Sequence, residues 1–391
     1  MTKDDKIRGI LQRGVEEIIH SKSLEKKLAG KKKLRVKLGF DPTSPFLHIG
    51  NAAALLKLRA FQDLGHQAVI IVGDFTGLIG DNSDKESERP MLSEAQVKEN
   101  IKTYFAQAFK VLDKEKTEAV YNSTWLKNLN FGEIGKLADQ FSVNEFTSRE
   151  LIKKRLTAGK RVGLRELLYP LMQGYDSVAV KADVEIGGTD QRFNMLAGRT
   201  LQEFYGQEPQ DVIMITLLEG GDGRKMSKSY GNTINILDDA NIMFGKVMTV
   251  NDNLIEKYFT LATNTLWKHI DEIMKSYDNP RDQKLILAHA IVEQYHGVHA
   301  ARKAQENFVS QFSKKELPPD ISEMKVKAGT YSLAELLVQL KLAASKSEAR
   351  RLIEQGGVKI NQVKVTEKPL TIGKKNNLTV QVGKRKFVKI I

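Results

Sequence analysis

The chain has 391 residues, enough for two or three domains with buried cores. It contains no Cys, which excludes disulfide frameworks and thiolate zinc sites, and its 41% hydrophobic and 28% charged residues are typical of an ordinary globular protein. The first residues are polar, and no apolar stretch approaches the roughly 20 residues that span a bilayer, so we expect a cytoplasmic protein with no membrane partner.

The net charge of +13 arises from 61 Lys and Arg against 48 Asp and Glu, and it is concentrated at the end of the chain. Residues 331–391 contain 13 Lys and Arg against 4 Glu and no Asp, a net charge of +9. A basic terminal module predicts a polyanionic partner, and nucleic acid is one such partner. A solvated lysine-rich surface would have the same composition.

The first part of the chain has an α/β pattern. Residues 33–40 are strand-like, residues 51–64 carry apolar side chains at helical spacing up to Gly65, and residues 67–72 are again strand-like. The segment 39–51 therefore follows the first strand of a βαβ unit. Open α/β sheets bind ligands at the carboxyl ends of their strands, and the N-terminal end of a helix favours anions such as phosphate.

Later segments predict a helix-rich middle and a small mixed end. The pair Ser93 and Gln96 forms a capping box that would open a helix running to about Leu112. The remaining predicted elements are mixed helix and turn over 121–163, helix over 165–173, strand over 183–186, a helix after Gln191, strand over 211–216, helices from about 237 to 312, a linker at Pro318, Pro319 and Gly329, helices over 333–340 and 346–355, and β-rich runs beyond.

The segment Gly39 to Asn51 (GFDPTSPFLHIGN) has the features of a nucleotide-binding loop. Gly39 allows a ligand to approach the end of the strand closely. Thr43 and His48 offer donors to a phosphate, Gly50 leaves room for an adenine ring on the backbone, and Asn51 can bind a ribose hydroxyl. The structural alternative is a plain turn from strand to helix, with His48 as a capping residue.

A second loop, Lys225-Met226-Ser227-Lys228-Ser229, lies beside several glycines. Two lysines three residues apart on a flexible loop can stabilise charge on a leaving pyrophosphate, although a solvated basic turn looks similar. The polar loop from Asp81 to Arg89 adds Lys85 and Arg89 beside a carboxylate, and taken alone it is more typical of a solvated loop.

Two further patterns indicate polar contacts with a ligand. Tyr169, Gln173 and Asp176 are spaced so that they share one face of a helix, and Gln and Asp are poor choices for a core face. The run Gly187 to Gln191 (GGTDQ) follows a strand and suits close approach to a ribose. An exposed helix face and an ordinary α/β turn are the structural alternatives.

These motifs in this order resemble tyrosyl-tRNA synthetases of the bacterial type, which are class I aminoacyl-tRNA synthetases. The resemblance rests on GFDPT before HIGN, IGD at 79–81, YPLMQGYDS at 169–177 and GGTDQ before KMSKS, and it extends over essentially the whole chain. The end of the chain, 333–388, is similar to an RNA-binding module of the S-four type, shared with a small-subunit ribosomal protein.

The resemblance implies roles for matching residues. Catalysis would involve Thr43, His48, Asn51, Lys85, Arg89, Lys225 and Lys228; ATP binding would involve Gly39, Asp41, Gly50, Gly188, Asp190, Met226 and Ser227; tyrosine binding would involve Lys37, Asp81, Tyr169, Gln173, Asp176 and Gln191. Asp176 would accept a hydrogen bond from the phenol. The substrates would be ATP with Mg²⁺, and no residue is assigned as a metal ligand.

Two positions depart from the family pattern. Asn51 replaces the second histidine of the usual signature, and it still offers a donor to a ribose. Lys37 stands where many members have a Tyr that contacts the phenol of the substrate. Both departures indicate a second bacterial subtype, and whether Lys37 contacts the phenol stays open at the sequence level.

The resemblance also implies a fold and a domain order. We expect a Rossmann-like α/β catalytic domain over 1–230 with a dimerisation insert at about 121–163, an all-α anticodon-binding domain over 231–326, and a small α+β RNA-binding domain of the S-four type over 327–391. The expected function is ligation of L-tyrosine to tRNA(Tyr) by a homodimer, through tyrosyl-adenylate.

Three other functions share some of these features. A tryptophanyl-tRNA synthetase has the same architecture, but Asp176 and the basic end favour tyrosine. A small-molecule nucleotidyltransferase would need neither the helical domain nor the basic module. An RNA-binding protein without enzymatic activity would not need both lysines of the second loop.

Overall fold

Parallel strands at the centre of the first part of the chain form the sheet that the βαβ pattern predicts. The computed structural model describes residues 2–81, 91–224, 226, 230–313, 321–361, 363–367, 369–373, 378–383 and 386–391. The chain divides into two compact units, Met1–Gln305 and Glu306–Ile391.

The first unit is built on a six-stranded sheet with the order β1-β6-β5-β2-β3-β4, in which only the pairing of β1 with β6 is antiparallel. Its strands are β1 (Val15–Ile19), β2 (Arg35–Phe40), β3 (Gln67–Val72), β4 (Thr117–Tyr121), β5 (Val184–Gly188) and β6 (Asp211–Ile215). The chain runs from β2 outward to β4 and then returns to β5 on the other side of β2. The strand order therefore reverses between β2 and β5, which is where such sheets form a ligand crevice.

Helices cover the sheet and continue beyond it. Those that begin in the first unit are α1 (Lys3–Gln12), α2 (Ser21–Ala29), α3 (Ile49–Gln62), α4 (Thr76–Ile79), α5 (Glu94–Ile101), α6 (Tyr104–Ala108), α7 (Ser123–Leu126), α8 (Phe131–Ala138), α9 (Val143–Thr147), α10 (Glu150–Thr157), α11 (Leu164–Ala179), α12 (Arg192–Phe204), α13 (Ala240–Val247), α14 (Ile255–Ala262), α15 (Trp267–Ser276), α16 (Pro280–His296) and α17 (Val298–Ser313). Residues 240–313 are thus helical, as predicted.

The core of this unit lies on both faces of the central strands. β3 has the sequence QAVIIV, and five of its six residues are buried because helices cover both of its faces. Ile49, Leu55 and Leu58 of α3 are completely buried on one of those faces. This packing holds the start of α3 at the carboxyl end of β2.

Helices α11 and α12 cross with almost no space between their backbones. A Cβ atom placed on Gly174 would lie 3.0 Å from the carbonyl carbon of Ala197. One placed on Gly198 would lie 2.7 Å from Ser177 Oγ. Both glycines are therefore required by close packing, and they fix α11 against α12.

Several details differ from the sequence-based prediction. β1 and β4 were not predicted, since each is short and only partly buried, without the continuous apolar run that marks β3. The single helix predicted from Ser93 to about Leu112 is two helices, α5 and α6. The helix predicted over 165–173 extends to Ala179.

The second unit consists of two short helices packed on a small sheet. Its elements after α17 are β7 (Ser322–Met324), β8 (Gly329–Tyr331), α18 (Leu333–Gln339), α19 (Lys346–Glu354), β9 (Val358–Ile360), β10 (Val363–Lys364), β11 (Leu370–Ile372), β12 (Leu378–Val382) and β13 (Lys386–Ile390). Five strands are ordered β10-β9-β12-β13-β7, and β11 pairs with β8. The sheet includes Ser322–Met324, which the predicted division leaves with the helical domain.

A separate apolar core holds this second unit together. It contains Leu336 and Leu337 of α18, Ala349 of α19, and Val380 and Ile390 of the sheet. No helix in the described part of the chain is both long enough and apolar enough to cross a membrane.

Candidate functional site

A cavity of about 310 Å³ opens at the carboxyl ends of β2 and β5, where the strand order reverses. The residues predicted from the sequence come together in it. Those among its lining are Lys37, Gly39, Asp41, Thr43, His48, Gly50, Asn51, Asp81, Tyr169, Gln173, Asp176, Gly188, Asp190, Gln191 and Met226. The predictions for Lys85, Arg89, Lys225, Ser227 and Lys228 lie outside the described residues.

The His48-to-Asn51 segment forms the N-terminal cap of α3. His48 Nδ1 accepts a hydrogen bond from the Asn51 amide at 3.3 Å, and Asn51 Oδ1 accepts one from the His48 amide at 3.1 Å. This reciprocal pattern assigns the proton of a neutral His48 ring to Nε2, and it makes Nδ2 the donor end of Asn51. The capping role considered as a structural alternative is therefore real, and it orients both side chains as donors.

Two glycines of the cavity lining lie close to polar side chains. A Cβ atom on Gly50 would lie 2.9 Å from His48 Nδ1 and 3.6 Å from the sulfur of Met226. A Cβ atom on Gly188 would lie 2.5 Å from a carboxylate oxygen of Asp190. A side chain at either position would displace these polar groups, so both positions require glycine.

Asp41 follows β2 and forms hydrogen bonds with two other polar residues of the cavity lining, Thr76 and Tyr169. Its two carboxylate oxygens accept hydrogen bonds from the Thr76 hydroxyl at 2.7 Å and from the Tyr169 hydroxyl at 2.9 Å. Burial, and then the negative charge of Asp41, raise the pKa of Tyr169 well above its usual value. Tyr169 therefore stays protonated and donates to Asp41.

A second polar pair lies on the same side. Gln191 Nε2 donates to a carboxylate oxygen of Asp81 at 2.8 Å, and Asn194 Nδ2 donates to Gln191 Oε1 at 3.0 Å. The amide of Gln191 is thereby held in one orientation. The carboxylates of Asp41 and Asp81 both lie close enough to act on Tyr169, so this region carries negative charge that suits a cation.

Asp176 lies deep in the cavity and is 4% exposed. One of its carboxylate oxygens accepts from the indole nitrogen of Trp125 at 2.7 Å, and the other accepts from Asn122 Nδ2 at 3.3 Å. Burial raises the pKa of Asp176 to about 7, and the charge of Lys37 with these two hydrogen bonds opposes that rise. Asp176 is an acceptor held in a fixed orientation.

Asn122 is itself fixed by its neighbours. Its Oδ1 accepts a hydrogen bond from the backbone amide of Phe75 at 3.0 Å. One hydrogen of its side-chain NH2 group is donated to the Thr76 hydroxyl oxygen, with 2.9 Å between Nδ2 and Oγ1. The amide therefore cannot rotate without breaking both bonds. Its remaining hydrogen must point to Asp176.

The floor of the cavity is a buried ion pair. Lys37 Nζ lies 3.0 Å from Glu185 Oε1, and the two side chains are 1% and 3% exposed. They are direct partners across the parallel strands β2 and β5. Gln173 and Ser177 on α11 also contact this pair.

Three polar residues of the cavity lining, Thr76, Asn122 and Glu185, were not predicted from the sequence, and neither was Trp125, which donates to Asp176. Asn122 and Trp125 follow β4, an edge strand that pairs with β3 and has no clear strand pattern in the sequence, so no local signal marks them. Glu185 lies within a strand that reads as apolar, so its role is visible only in three dimensions. No three His, Asp or Glu side chains of the described residues are arranged to hold a metal ion.

Known proteins resemble the chain over its entire length. The family described as tRNA synthetases class I (W and Y) matches residues 29–313, and the tyrosine-tRNA ligase SYY-like C-terminal domain matches 314–390. The tyrosine-tRNA ligase of Thermotoga maritima is 45% identical, covering 100% of this chain and 98% of the relative, and that of Carboxydothermus hydrogenoformans is 47% identical, covering 98% and 97%.

The fold has counterparts among solved structures. The crystal structure of a C-terminally truncated mitochondrial tyrosyl-tRNA synthetase from Aspergillus nidulans matches with a TM-score of 0.67 and 19% identity, covering 78% of this chain and 94% of that one. The predictions of fold class and of a tyrosine-tRNA ligase are confirmed by these matches. The chain belongs to the class I tRNA synthetases of the tryptophan and tyrosine group, and within that group to the tyrosine-tRNA ligases.

Proposed function

We propose that the cavity between β2 and β5 binds L-tyrosine and ATP side by side and joins them as tyrosyl-adenylate. The observation that carries this proposal is the position of a buried, doubly hydrogen-bonded carboxylate, Asp176, in the same cavity as the helix N-terminus at His48. The carboxylate suits a single donor at the end of an apolar group. The helix N-terminus suits a phosphate.

The tyrosine would lie with its phenol hydroxyl at Asp176 and its ammonium group at the opposite end. Asp81 and Gln191 form one part of the ammonium site, and Tyr169 and Gln173 on α11 form the other. The negative charge of Asp41 and Asp81 favours a cation there. Asp176 would accept the hydroxyl hydrogen of tyrosine, which phenylalanine lacks.

The ATP would lie over the start of α3. Gly50 and Gly188, which line the cavity without side chains, would lie against the adenine and the ribose, and Asn51 Nδ2 would donate to a ribose hydroxyl. Thr43, Asp190 and Gly39 complete the lining of this end, and Met226 closes it from the side of the lysine loop. Magnesium would enter with ATP, because phosphate oxygens supply several of its ligands.

In the first step the carboxylate of tyrosine attacks the α-phosphate of ATP, and pyrophosphate leaves. No side chain has to act as a nucleophile, so positioning and charge stabilisation would lower the barrier. His48 Nε2–H and the Thr43 hydroxyl are donors at the phosphate end. The family resemblance assigns Lys85, Arg89, Lys225 and Lys228 to the leaving pyrophosphate and Ser227 to the ATP site.

In the second step the 3′-terminal adenosine of tRNA(Tyr) accepts the tyrosyl group. The helices from α13 to α17 would read the anticodon, and the basic end of the chain would bind the tRNA backbone. The charge of +9 over 331–391 supports an RNA-binding role for the second unit. Several of its cations, among them Lys346 and Arg351, are exposed.

The segment between β4 and α11 would form the interface of a homodimer. Phe131 at the start of α8 is 90% exposed and Val143 at the start of α9 is 73% exposed. Leu164, at the start of α11, is 72% exposed. Three large apolar side chains exposed to this extent in neighbouring helices are typical of a protein interface.

Amino-acid-dependent exchange of pyrophosphate into ATP tests the first step. We expect exchange with tyrosine alone among the twenty amino acids, and no exchange when Lys225 and Lys228 are both replaced by Ala. Exchange driven by tryptophan instead would assign the protein to the other half of its family. A protein that exchanges with no amino acid would contradict the proposal.

A further inference from the structure

We propose that Lys37 and Glu185 form a positioning pair for Asp176: the pair fixes the helical turn that carries this carboxylate, and Lys37 does not bind the phenol itself. This inference rests on the proposed function of the cavity. It assigns Lys37 a role different from that of the Tyr which many family members have at this position.

The ammonium group of Lys37 has no hydrogen left for a substrate. It has three hydrogens, and it lies 2.7 Å from Ser177 Oγ, 3.0 Å from Glu185 Oε1 and 3.1 Å from the backbone oxygen of Gln173. The side chain is 1% exposed, so it cannot turn toward the ligand without losing these partners in a buried environment.

Glu185 is equally well provided with partners. Its Oε1 accepts from Lys37 and from Gln173 Nε2 at 3.2 Å. Its Oε2 accepts from the Ser177 hydroxyl at 3.3 Å and from Gln210 Nε2. The negative charge is therefore balanced by Lys37 and by three neutral donors, as a buried ion pair requires.

These contacts surround the turn of α11 that carries Asp176. Gln173 precedes Asp176 by three residues and Ser177 follows it by one, and both bind Lys37 and Glu185 at once. The pair itself is held by the register of β2 and β5. The helix is thus bound to the central sheet at the turn where the specificity carboxylate lies.

Charges from several elements act on Asp176. Those that face it or share its cavity are Lys37 on β2, Glu185 on β5, Tyr169 on α11, and Asp41, Asp81, Asp190 and His48 on the surrounding loops. Lys37 lowers the pKa of Asp176, and Glu185 raises it. The two members of the pair therefore have opposite effects on the protonation of the same carboxyl group.

Because the two effects are opposite, the pH dependence of the KM for tyrosine should shift in opposite directions when each residue is replaced. Tyrosine-dependent pyrophosphate exchange is measured from about pH 5.5 to about pH 9 for the wild-type protein, Lys37→Met and Glu185→Gln. In the wild type the KM for tyrosine should rise as the pH falls through about 7, because Asp176 becomes protonated. In Lys37→Met this rise should move to higher pH by about one unit, and in Glu185→Gln it should move to lower pH.

The level reached at high pH separates positioning from direct contact. In Lys37→Met, the KM for tyrosine and for phenylalanine should both stay raised by about threefold once Asp176 is fully ionised, because the turn is held less firmly, while the preference for tyrosine over phenylalanine should return to the wild-type value. A lasting loss of preference at every pH would mean that Lys37 binds the phenol, and shifts of both variants in the same direction would overturn the pairing.

Two controls complete the experiment. Lys57→Met removes another buried lysine, whose Nζ donates to the backbone oxygens of Gly9, Ile10 and Arg13 away from the cavity. It should lower stability without moving the pH at which the KM for tyrosine rises. Lys37→Arg keeps the charge and should keep the wild-type pH profile. If Lys37→Met does not fold, Glu185→Gln still tests whether the rise in KM moves to lower pH, with Lys37→Arg as its unshifted control.

A failure of the inference differs from a failure of the proposed function. Wild-type protein that shows no exchange with tyrosine contradicts the function of the cavity. Wild-type protein that exchanges normally, with variants whose pH profiles coincide with it, contradicts only the positioning pair.

Discussion

At the scale of a single residue, we expect the buried carboxylate of Asp176 to determine the preference for tyrosine over phenylalanine. It is held by Trp125 and Asn122, both of which can only donate to it in the observed orientation. A substrate that lacks a hydroxyl would leave this carboxylate desolvated and short of a donor. Leaving a buried charged group without its partner costs more than losing an apolar contact of similar size.

Replacement of Asp176 by Asn should therefore weaken tyrosine far more than phenylalanine. The Asn amide would have to face the indole donor of Trp125 or the amide donor of Asn122 with its own NH2 group, since both oxygens of Asp176 accept at present. We expect the ratio of kcat/KM for tyrosine to that for phenylalanine to fall by at least about 100-fold.

The same variant should lose the pH dependence of tyrosine binding. In the wild type the pKa of Asp176 is raised to about 7, so the ionised acceptor is present above that pH and is lost as the pH falls through it. The Asn side chain does not titrate. Pyrophosphate exchange with both amino acids over this pH range measures both effects, and an unchanged ratio in the variant would show that the phenol lies elsewhere.

At the scale of elements, close packing of α11 against α12 determines the position of the residues that we propose to bind tyrosine. α11 carries Tyr169, Gln173 and Asp176 on one face, and Gly174 on its other side lies against Ala197. The position of the whole helix thus depends on the absence of side chains at Gly174 and Gly198. We therefore expect stability and tyrosine affinity to be linked through this contact.

Gly198→Ala should destabilise the protein by about 1–3 kcal/mol, because the new methyl group would meet Ser177 Oγ at 2.7 Å. It should also raise the KM for tyrosine, since Ser177 moves with the turn that carries Asp176. Gly245→Ala in α13 is the matched control, with no atom within 4 Å of its new Cβ. Urea unfolding of both variants gives the comparison, and equal effects would contradict the packing argument.

The sequence was sufficient for elements with strong local patterns. β3 and the start of α3 are visible as an apolar run and as a cap, and the helical residues after 240 follow their periodicity. The short strands β1 and β4 carry no such pattern, since each is only partly buried. They depend on pairing with β6 and β3, which are distant in sequence.

The same contrast between local and distant signals applies to the predicted site residues. Motifs identified the residues from Gly39 to Asn51 and on α11, because their spacing is local. Trp125 binds Asp176 from α7 and Glu185 binds Lys37 from β5, and nothing in their immediate sequence marks them. A single sequence therefore identifies the residues that we propose to contact a ligand more readily than the residues that hold them in place.

Self-association is expected at the scale of the whole molecule. Phe131→Arg places a charge where a 90% exposed aromatic side chain now lies, at the first position of α8. If this surface is the dimer interface, the variant should sediment as a monomer of about half the wild-type mass at micromolar concentration. Tyr277→Arg, on the helical region and 43% exposed, is the control and should leave the mass unchanged. A wild-type monomer would contradict the expected homodimer.

Separation of the two steps of the reaction is expected when the second unit is removed. A chain ending at Ser313 keeps the cavity and the last helix that begins in the first unit, and it loses the separate core built around Leu336 and Val380. A chain ending at Gly329 would keep β7 without its partner β13 and would cut through β8, which pairs with β11.

The shortened chain should form tyrosyl-adenylate at close to the wild-type rate, since no residue of the cavity is removed. It should fail to charge tRNA, because the removed 331–391 segment carries a net charge of +9 that would contact backbone phosphates. Binding of tRNA to the full chain should weaken steeply with salt, and binding to the shortened chain should show a shallower slope. Pyrophosphate exchange, tRNA charging and a salt titration of tRNA binding measure the three quantities. Normal charging by the shortened chain would show that the second unit serves another purpose, and loss of exchange would show that it supports the cavity.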